Sequence, residues 1–263
     1  MKSLQNLILK SEVIEKISKI TQIPYIFRLQ KGDKKLVYFG ASHQFDSNNP
    51  EFEQIKQEFN SLHPQLVLWE GAVNMDLSSE ENAKKQGEAV YTNWLAKEAG
   101  VKSKNLDIPI GQDATYQAEK FGKEAVFVFF CVRTLNTLYL RMDQGQKINE
   151  KIITEALENR IKLLKNTLDW DIEFSISNLL KSFKETTGKK LSLDIKKWQR
   201  ELIGPNYYLG ILNEIARSSL YFRDLYTFNF IIKQFKEFDR VFVLMGYTHG
   251  YAQEPALKRW FKM

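Results

Sequence analysis

Cysteine is nearly missing from this chain: Cys131 is the only one in 263 residues. That excludes an intramolecular disulfide framework and any multi-cysteine metal site. Histidine is almost as scarce, with only His43, His63 and His249. Long apolar runs are lacking too. The densest, Ala125 to Val132 (AVFVFFCV), is eight residues long, whereas a membrane span needs about 20. It reads as a buried helix turn or strand. The amino-terminal MKSLQNLILKSEVIEKISKI places Leu4, Leu7, Ile8, Val13, Ile14, Ile17 and Ile20 at helical spacing. Charges interrupt it, so it lacks the unbroken apolar segment and small-residue cleavage site of a secretory signal. The expected location is cytoplasmic, in keeping with a lone free thiol, and no membrane partner is expected. Excess charge of one sign is small. The net charge of +6 does not by itself imply nucleic acid, and none is expected as a partner. A nucleic-acid partner would rest on that charge alone.

What is present is a foldable core. Hydrophobic residues make up 43%, with 18 Phe, 11 Tyr and 5 Trp, which excludes disorder as the main state. No internal repeat or linker stands out. The length suits one domain with an insertion better than two domains.

Strand signals lie at both ends of the chain. Tyr25 to Leu29 and Lys35 to Gly40 read as a hairpin about Gly32-Asp33. Pro50 to Leu62 reads as a helix, Gln65 to Glu70 as a buried strand, and Ser79 to Ala99 as one charged amphipathic helix. Leu106 to Ile110 is a weak strand candidate. From about 113 to 238 the pattern is almost wholly helical, with segments at 126–142, 149–168, 172–187, 193–202 and 209–238, the last expected to contain a break. Arg240 to Gly246 returns to strand character, and Glu254 to Phe261 closes as a helix entered at Glu254-Pro255. The expectation is an α/β fold: a central mixed sheet with its motifs at strand carboxyl ends, plus a large helical insertion.

Two histidines share a local setting. Gly40-Ala41-Ser42-His43 follows KLVYF, and Gly246-Tyr247-Thr248-His249 follows RVFVLM. Each glycine is read as permitting a sharp exit from the strand. Ligands of open α/β sheets bind outside strand carboxyl ends. A third strand, LVLWE, ends in Glu70, and an unpaired buried carboxylate is costly enough to need a reason. If the three strands are parallel neighbours, His43, Glu70 and His249 meet at one sheet edge. Two imidazoles and a carboxylate could hold a divalent metal (Mn, Co or Zn) that acidifies a bound water. They could also work without metal, one histidine serving as general base with the glutamate orienting it. Both routes end in hydrolysis. One Gly-x-x-His would be read as a core or loop histidine; two copies with a strand-terminal Glu set a functional site against that plainer reading.

These residues resemble the TraB/Tiki/erythromycin-esterase/ChaN-like superfamily. GASHQFD is similar to its first motif, QLVLWEG to the following strand with its Glu, SSLYFRDLYTFNFI to the helix carrying an Arg, and VFVLMGYTHGYAQEPAL to the closing Gly-x-x-His segment. The motifs cover about a fifth of the chain, and their order and spacing carry the specificity. The resemblance implies a single α/β domain over residues 1–263 with a helical insertion at roughly 113–238. It implies hydrolase-like chemistry in some branches, on peptides with metal or on esters. Other branches bind haem or regulate without clear catalysis. Carried over, His43, Glu70 and His249 are the central groups, and Arg223 stabilises an oxyanion or binds a substrate carboxylate or phosphate. Bulky Tyr226 and Phe228 after that Arg depart from the family pattern.

Further candidates each have a plainer reading. Asp46 could be a partner for an imidazole N–H or a helix N-cap before Pro50. Ser42 and Thr248 flank the histidines, where backbone capping is the simpler role. Glu88 and Asp107 could line the cleft, or be solvated surface charges. Asp224 is expected to pair with another cation or solvent. Arg133 is expected to pair with an acid or line a pocket, His63 to be exposed, and Cys131 to pack in a core. The expectation for function is a hydrolase of an ester or amide bond, acting on a small-molecule or peptide substrate. The alternative is a non-catalytic regulatory protein of the same fold that binds a metal, haem or small anionic ligand.

Overall fold

A computed structural model describes residues 2–18, 22–43, 46–71, 78–143 and 145–263; the expected periodic position Ile20 lies outside them. The chain divides into two compact units, residues 1–107 with 223–263, and residues 108–222.

The first unit is α/β. Its strands are β1 (Tyr25–Lys31), β2 (Lys34–Ala41), β3 (Leu66–Trp69), β4 (Lys102–Asn105) and β5 (Arg240–Gly246). They form one mixed sheet in the order β1-β2-β5-β3-β4. The β1–β2 hairpin is antiparallel, closing at Lys31↔Lys34, and every other pairing is parallel. β5, from the far end of the sequence, therefore lies between β2 and β3. Side chains alternate across the pleat. Val37, Phe39, Val67, Trp69, Phe242 and Leu244 face one core, with α3 (Glu51–Leu62) and α5 (Glu88–Glu98). The intervening Leu36, Tyr38, Leu66, Leu68, Val241, Val243 and Met245 are equally buried. α11 (Tyr247–Lys262) packs on β1, β2 and β5, and Phe261 meets Phe235 near the end of α10 (Ile211–Gln234) edge to face. Two short amino-terminal helices, α1 (Lys2–Gln5) and α2 (Ser11–Ser18), also touch α11.

Several sequence expectations are corrected. The helix expected over 79–99 is two, α4 (Glu80–Lys85) and α5, because Gly87 sits at φ 102 and breaks the turn. Leu106 to Ile110 is not a strand: β4 precedes it, and α6 (Ile110–Phe121) starts there. α10 runs without the expected break. α11 starts at Tyr247 and carries Pro255 in its interior, so Glu254-Pro255 is not a helix start.

The second unit is helical. It holds α6, α7 (Lys123–Asp143), α8 (Glu150–Thr167), α9 (Ile176–Thr187), two 3-10 turns (Ile195–Lys197 and Arg200–Leu202) and the first part of α10. The segment expected as a helix over 193–202 is only those two turns. Asn149 and Ser175 cap α8 and α9 through their side chains, and Gly188 closes α9 in the left-handed region. α7 is long and apolar enough to cross a bilayer by composition. Here Val126 to Val132 are buried against Leu157, Ile161, Leu179 and Phe183. Cys131 lies in that core, and burial pushes its thiol up to about 12.

Candidate functional site

Glu70 is the first residue beyond β3, and its own amide donates to the Leu244 carbonyl at 3.1 Å. Strand alternation sends Trp69 to the α3 side, and Glu70 to the α10–α11 side. There its Oε1 receives Nη2 of Arg223 at 2.5 Å, and its Oε2 receives the backbone N–H of Gly246 at 3.0 Å. The same Arg223 nitrogen donates to Oδ1 of Asp107 at 2.9 Å, while Oδ2 of Asp107 takes the Gly71 amide at 2.9 Å. Asp107 is thus no solvated surface charge: it is an arm of a carboxylate–guanidinium–carboxylate bridge. Asn105 shapes that turn by donating to the Gly71 carbonyl and accepting the Asp107 amide.

His249 occupies the first turn of α11. Its Nδ1 lies 2.7 Å from Oδ1 of Asp224, and its Nε2 lies 3.6 Å from Oε1 of Glu70. Asp224 is only 1% exposed. Gln253, one helical turn after His249, donates to the same Asp224 oxygen at 2.8 Å and to Thr227 Oγ1 at 2.9 Å. Of the two partners expected for Asp224, another cation or solvent, the structure gives the first a name: the His249 imidazole. Sequence reading placed neither Asp224 nor Gln253 in the site. The Gln253 signal was there, four residues after His249, but only for a helix starting at Tyr247.

The electrostatics follow from these neighbours. Burial pulls the Glu70 carboxyl upward, but His249, Arg223, His43 and the Gly246 amide outweigh it and hold the group well below the usual carboxylate range. Burial opposes charge on His249, yet Asp224 and Glu70 overcome it and the imidazole's pKa is raised. Burial, with the Asp224 and Glu70 charges behind it, pushes the Tyr38 phenol far up, so it stays neutral; its O–H donates to Met245 Sδ at 3.2 Å.

His43 is delivered differently. It is a loop residue beyond β2 with φ 66, it is exposed, and its Nε2 would lie 2.8 Å from a Cβ built on Gly246. The two Gly-x-x-His motifs are therefore not alike. In the parallel register Ala41, not Gly40, pairs with Gly246. Gly40 lies inside β2 and turns nothing, whereas Gly246 is the last residue of β5 and the N-cap of α11, where the chain passes from strand to helix with an ordinary φ of −57. What each supplies is room. A Cβ on Gly40 would meet the Tyr247 Cα and the Tyr25 carbonyl at 2.8 Å, and one on Gly246 would meet the His43 ring.

The remaining candidates sort by contact. Ser42 donates its amide to Glu51 at 2.9 Å and its hydroxyl to the same carboxylate, so it ties the β2–α3 loop to α3. Asp46 accepts the Asn48 amide at 3.0 Å and organises the turn before α3, whose N-cap is Pro50. Thr248 is half-buried in the first turn of α11. Glu88 is buried at the start of α5 and is not a solvated charge. His63 is exposed at the end of α3, its carbonyl accepting from Arg240 at 2.7 Å. Phe228 is wholly buried, and Tyr226 stacks on Phe230.

A divalent ion held by the expected set would use His43, Nε2 of His249 and Oε1 of Glu70. That oxygen already receives the Arg223 guanidinium, which would repel the ion at its own ligand. Among the described residues no group of three His, Cys, Asp or Glu side chains stands in a ligating arrangement. Comparison with protein-family models, curated proteins and solved structures found no match to this chain.

Proposed function

We propose that the sheet unit is a hydrolase of an ester or amide bond, working at the carboxyl ends of β2, β3 and β5 through an activated water. The observation that carries this reading is the ion-paired network Asp224–His249–Glu70–Arg223 with an exposed imidazole, His43, beside it. A network of four buried or nearly buried charged groups is costly as scaffolding alone and resembles the perturbed groups of active sites.

The roles follow from charge state. His249, whose pKa is raised by Asp224 and Glu70 against burial, is given the role of acid. His43 is the solvent-facing ring and the base. A water loses a proton to His43 as its oxygen bonds the substrate carbonyl carbon. The carbonyl oxygen becomes an oxyanion, met by His249 and by the nitrogens of the Arg223 fork that do not hold Glu70 and Asp107. Collapse breaks the bond to the leaving oxygen or nitrogen, which takes the His249 proton, and His43 returns its proton through solvent. Glu70, kept ionised, is an orienting anion and not a proton donor.

The test is a panel of ester and peptide substrates given to the intact protein and to His43→Ala, with and without chelator. Turnover that resists chelation and vanishes in a variant of unchanged thermal stability supports the reading. Turnover abolished by chelation and restored by Mn, Co or Zn would hand the water to a metal. No turnover by the intact protein, with stabilisation by a small anion, would favour a binding protein instead.

A further inference from the structure

In the helical unit, Tyr207, Tyr208 and Leu209 are consecutive and 44%, 64% and 65% exposed. Slack chain does not explain that exposure, because the loop behind them is clamped. Asn213, buried at 1%, accepts the amides of Leu209 and Gly210 at 2.9 and 3.1 Å and donates to the carbonyls of Glu201 and Gly204 at 2.7 and 2.9 Å. All four of its hydrogen-bonding positions hold this one loop. Arg217 adds a latch, donating to the carbonyls of Pro205 and Tyr207 while its guanidinium lies 4.2 Å from the Tyr208 ring centre. The backbone is thus held in place while large parts of the three side chains stay exposed.

One side of the tip is basic. Lys189 lines one cleft with Leu209 and a second with Lys190 and Lys197. Over residues 188–210 five basic side chains stand against two acidic ones, Asp194 and Glu201. Asp194 lies 3.6 Å from Lys197. From these observations we infer that the 207–209 tip docks on an anionic lipid bilayer, independently of the hydrolase reading. Tyrosine combines an apolar ring with a polar end and suits the headgroup level, leucine enters the acyl boundary, and lysines meet the anionic surface on long apolar stems. A second copy of this chain is the weaker occupant. Three side chains expose far less than the roughly 800 Å² per partner of a stable protein interface. A bilayer sets no such minimum, since apolar and basic contributions add.

The test is co-sedimentation of the full chain with phosphatidylcholine vesicles, with and without phosphatidylglycerol. The expected result is binding only with phosphatidylglycerol, weakening as salt rises. The tip variant Tyr207→Ser/Tyr208→Ser/Leu209→Ser and the charge variant Lys189→Glu/Lys190→Glu should each lose about tenfold or more in affinity. Circular dichroism checks their folding; the charge variant leaves the loop clamp untouched and decides the matter if the tip variant fails to fold. No binding to anionic vesicles, equal binding to neutral ones, or a charge variant that binds normally would overturn the inference. So would self-association of the intact protein that the tip substitutions abolish.

Discussion

Oδ1 of Asp224 lies 2.7 Å from Nδ1 of His249 and also accepts from Gln253, so one buried oxygen fixes both the orientation and the charge of the imidazole. The other oxygen, Oδ2, has no hydrogen-bond partner among the described residues. Asp224→Asn keeps the shape but removes the charge. The His249 titration, followed by NMR, should move to lower pH. Turnover near neutral pH should fall about 100-fold as the acid is lost. An unmoved titration would mean that Glu70 alone sets the charge of His249.

The two motif glycines should part company on substitution. A Cβ at position 40 collides with backbone, the Tyr247 Cα and the Tyr25 carbonyl, both at 2.8 Å. Backbone cannot step aside, so Gly40→Ala should cost about 1–3 kcal/mol of stability. At position 246 the collision is with the far end of an exposed side chain, His43 Nε2. Gly246→Ala should leave stability within about 1 kcal/mol of the parent, because the ring can swing away. It should nevertheless abolish turnover, because the ring has swung away. Chemical denaturation and substrate assays on the pair separate space for folding from space for function.

That contrast marks what the sequence made legible. The three strands that frame the site, and Glu70 at the end of one, were readable because buried parallel strands are short apolar runs with abrupt ends. β5 matched its expected bounds, 240–246, residue for residue. Less was readable where local rules were overridden. Pro255 suggested a helix start, but the helix begins eight residues earlier, and that shift hid Gln253 as a turn-mate of His249. Asp224 follows Arg223 directly and was expected to meet another cation or solvent, with nothing to say which. On α10 adjacent residues diverge by about 100°, so the two reach different partners: Arg223 meets Glu70 and Asp107, Asp224 meets His249. Asp107 lay in a weak strand candidate, and nothing local says that a guanidinium more than a hundred residues away will neutralise it.

Arg223 is the cation between two carboxylates. Replacing it with methionine leaves Glu70 and Asp107 facing each other without it, at a cost of about 3 kcal/mol. The triple variant Arg223→Met/Glu70→Gln/Asp107→Asn removes the repulsion, so most of that stability should return. Turnover should not, since the oxyanion partner is gone. Denaturant midpoints and initial rates of the single and triple variants check both halves.

The opposed shifts of His249 and Glu70 set a stability window. The His249 pKa is raised above the ordinary 6.5 by Asp224 and Glu70, against burial and the Arg223 charge. Its stabilisation is therefore complete below about 6.5 and is lost as pH rises through the higher folded value. The Glu70 pKa is depressed from 4.5 by His249, Arg223 and His43, against burial. Its stabilisation is present above about 4.5 and disappears only as pH falls through the lower folded value. From these two groups, stability should be greatest between about pH 4.5 and 6.5 and should decline on the alkaline side first as His249 deprotonates. His249→Gln should flatten that alkaline decline. It should also weaken the acid resistance of Glu70, whose strongest charge partner is His249. Thermal unfolding of both proteins across pH reads this directly. An alkaline decline unchanged in His249→Gln would place the responsible proton elsewhere and remove the basis for treating His249 as the acid.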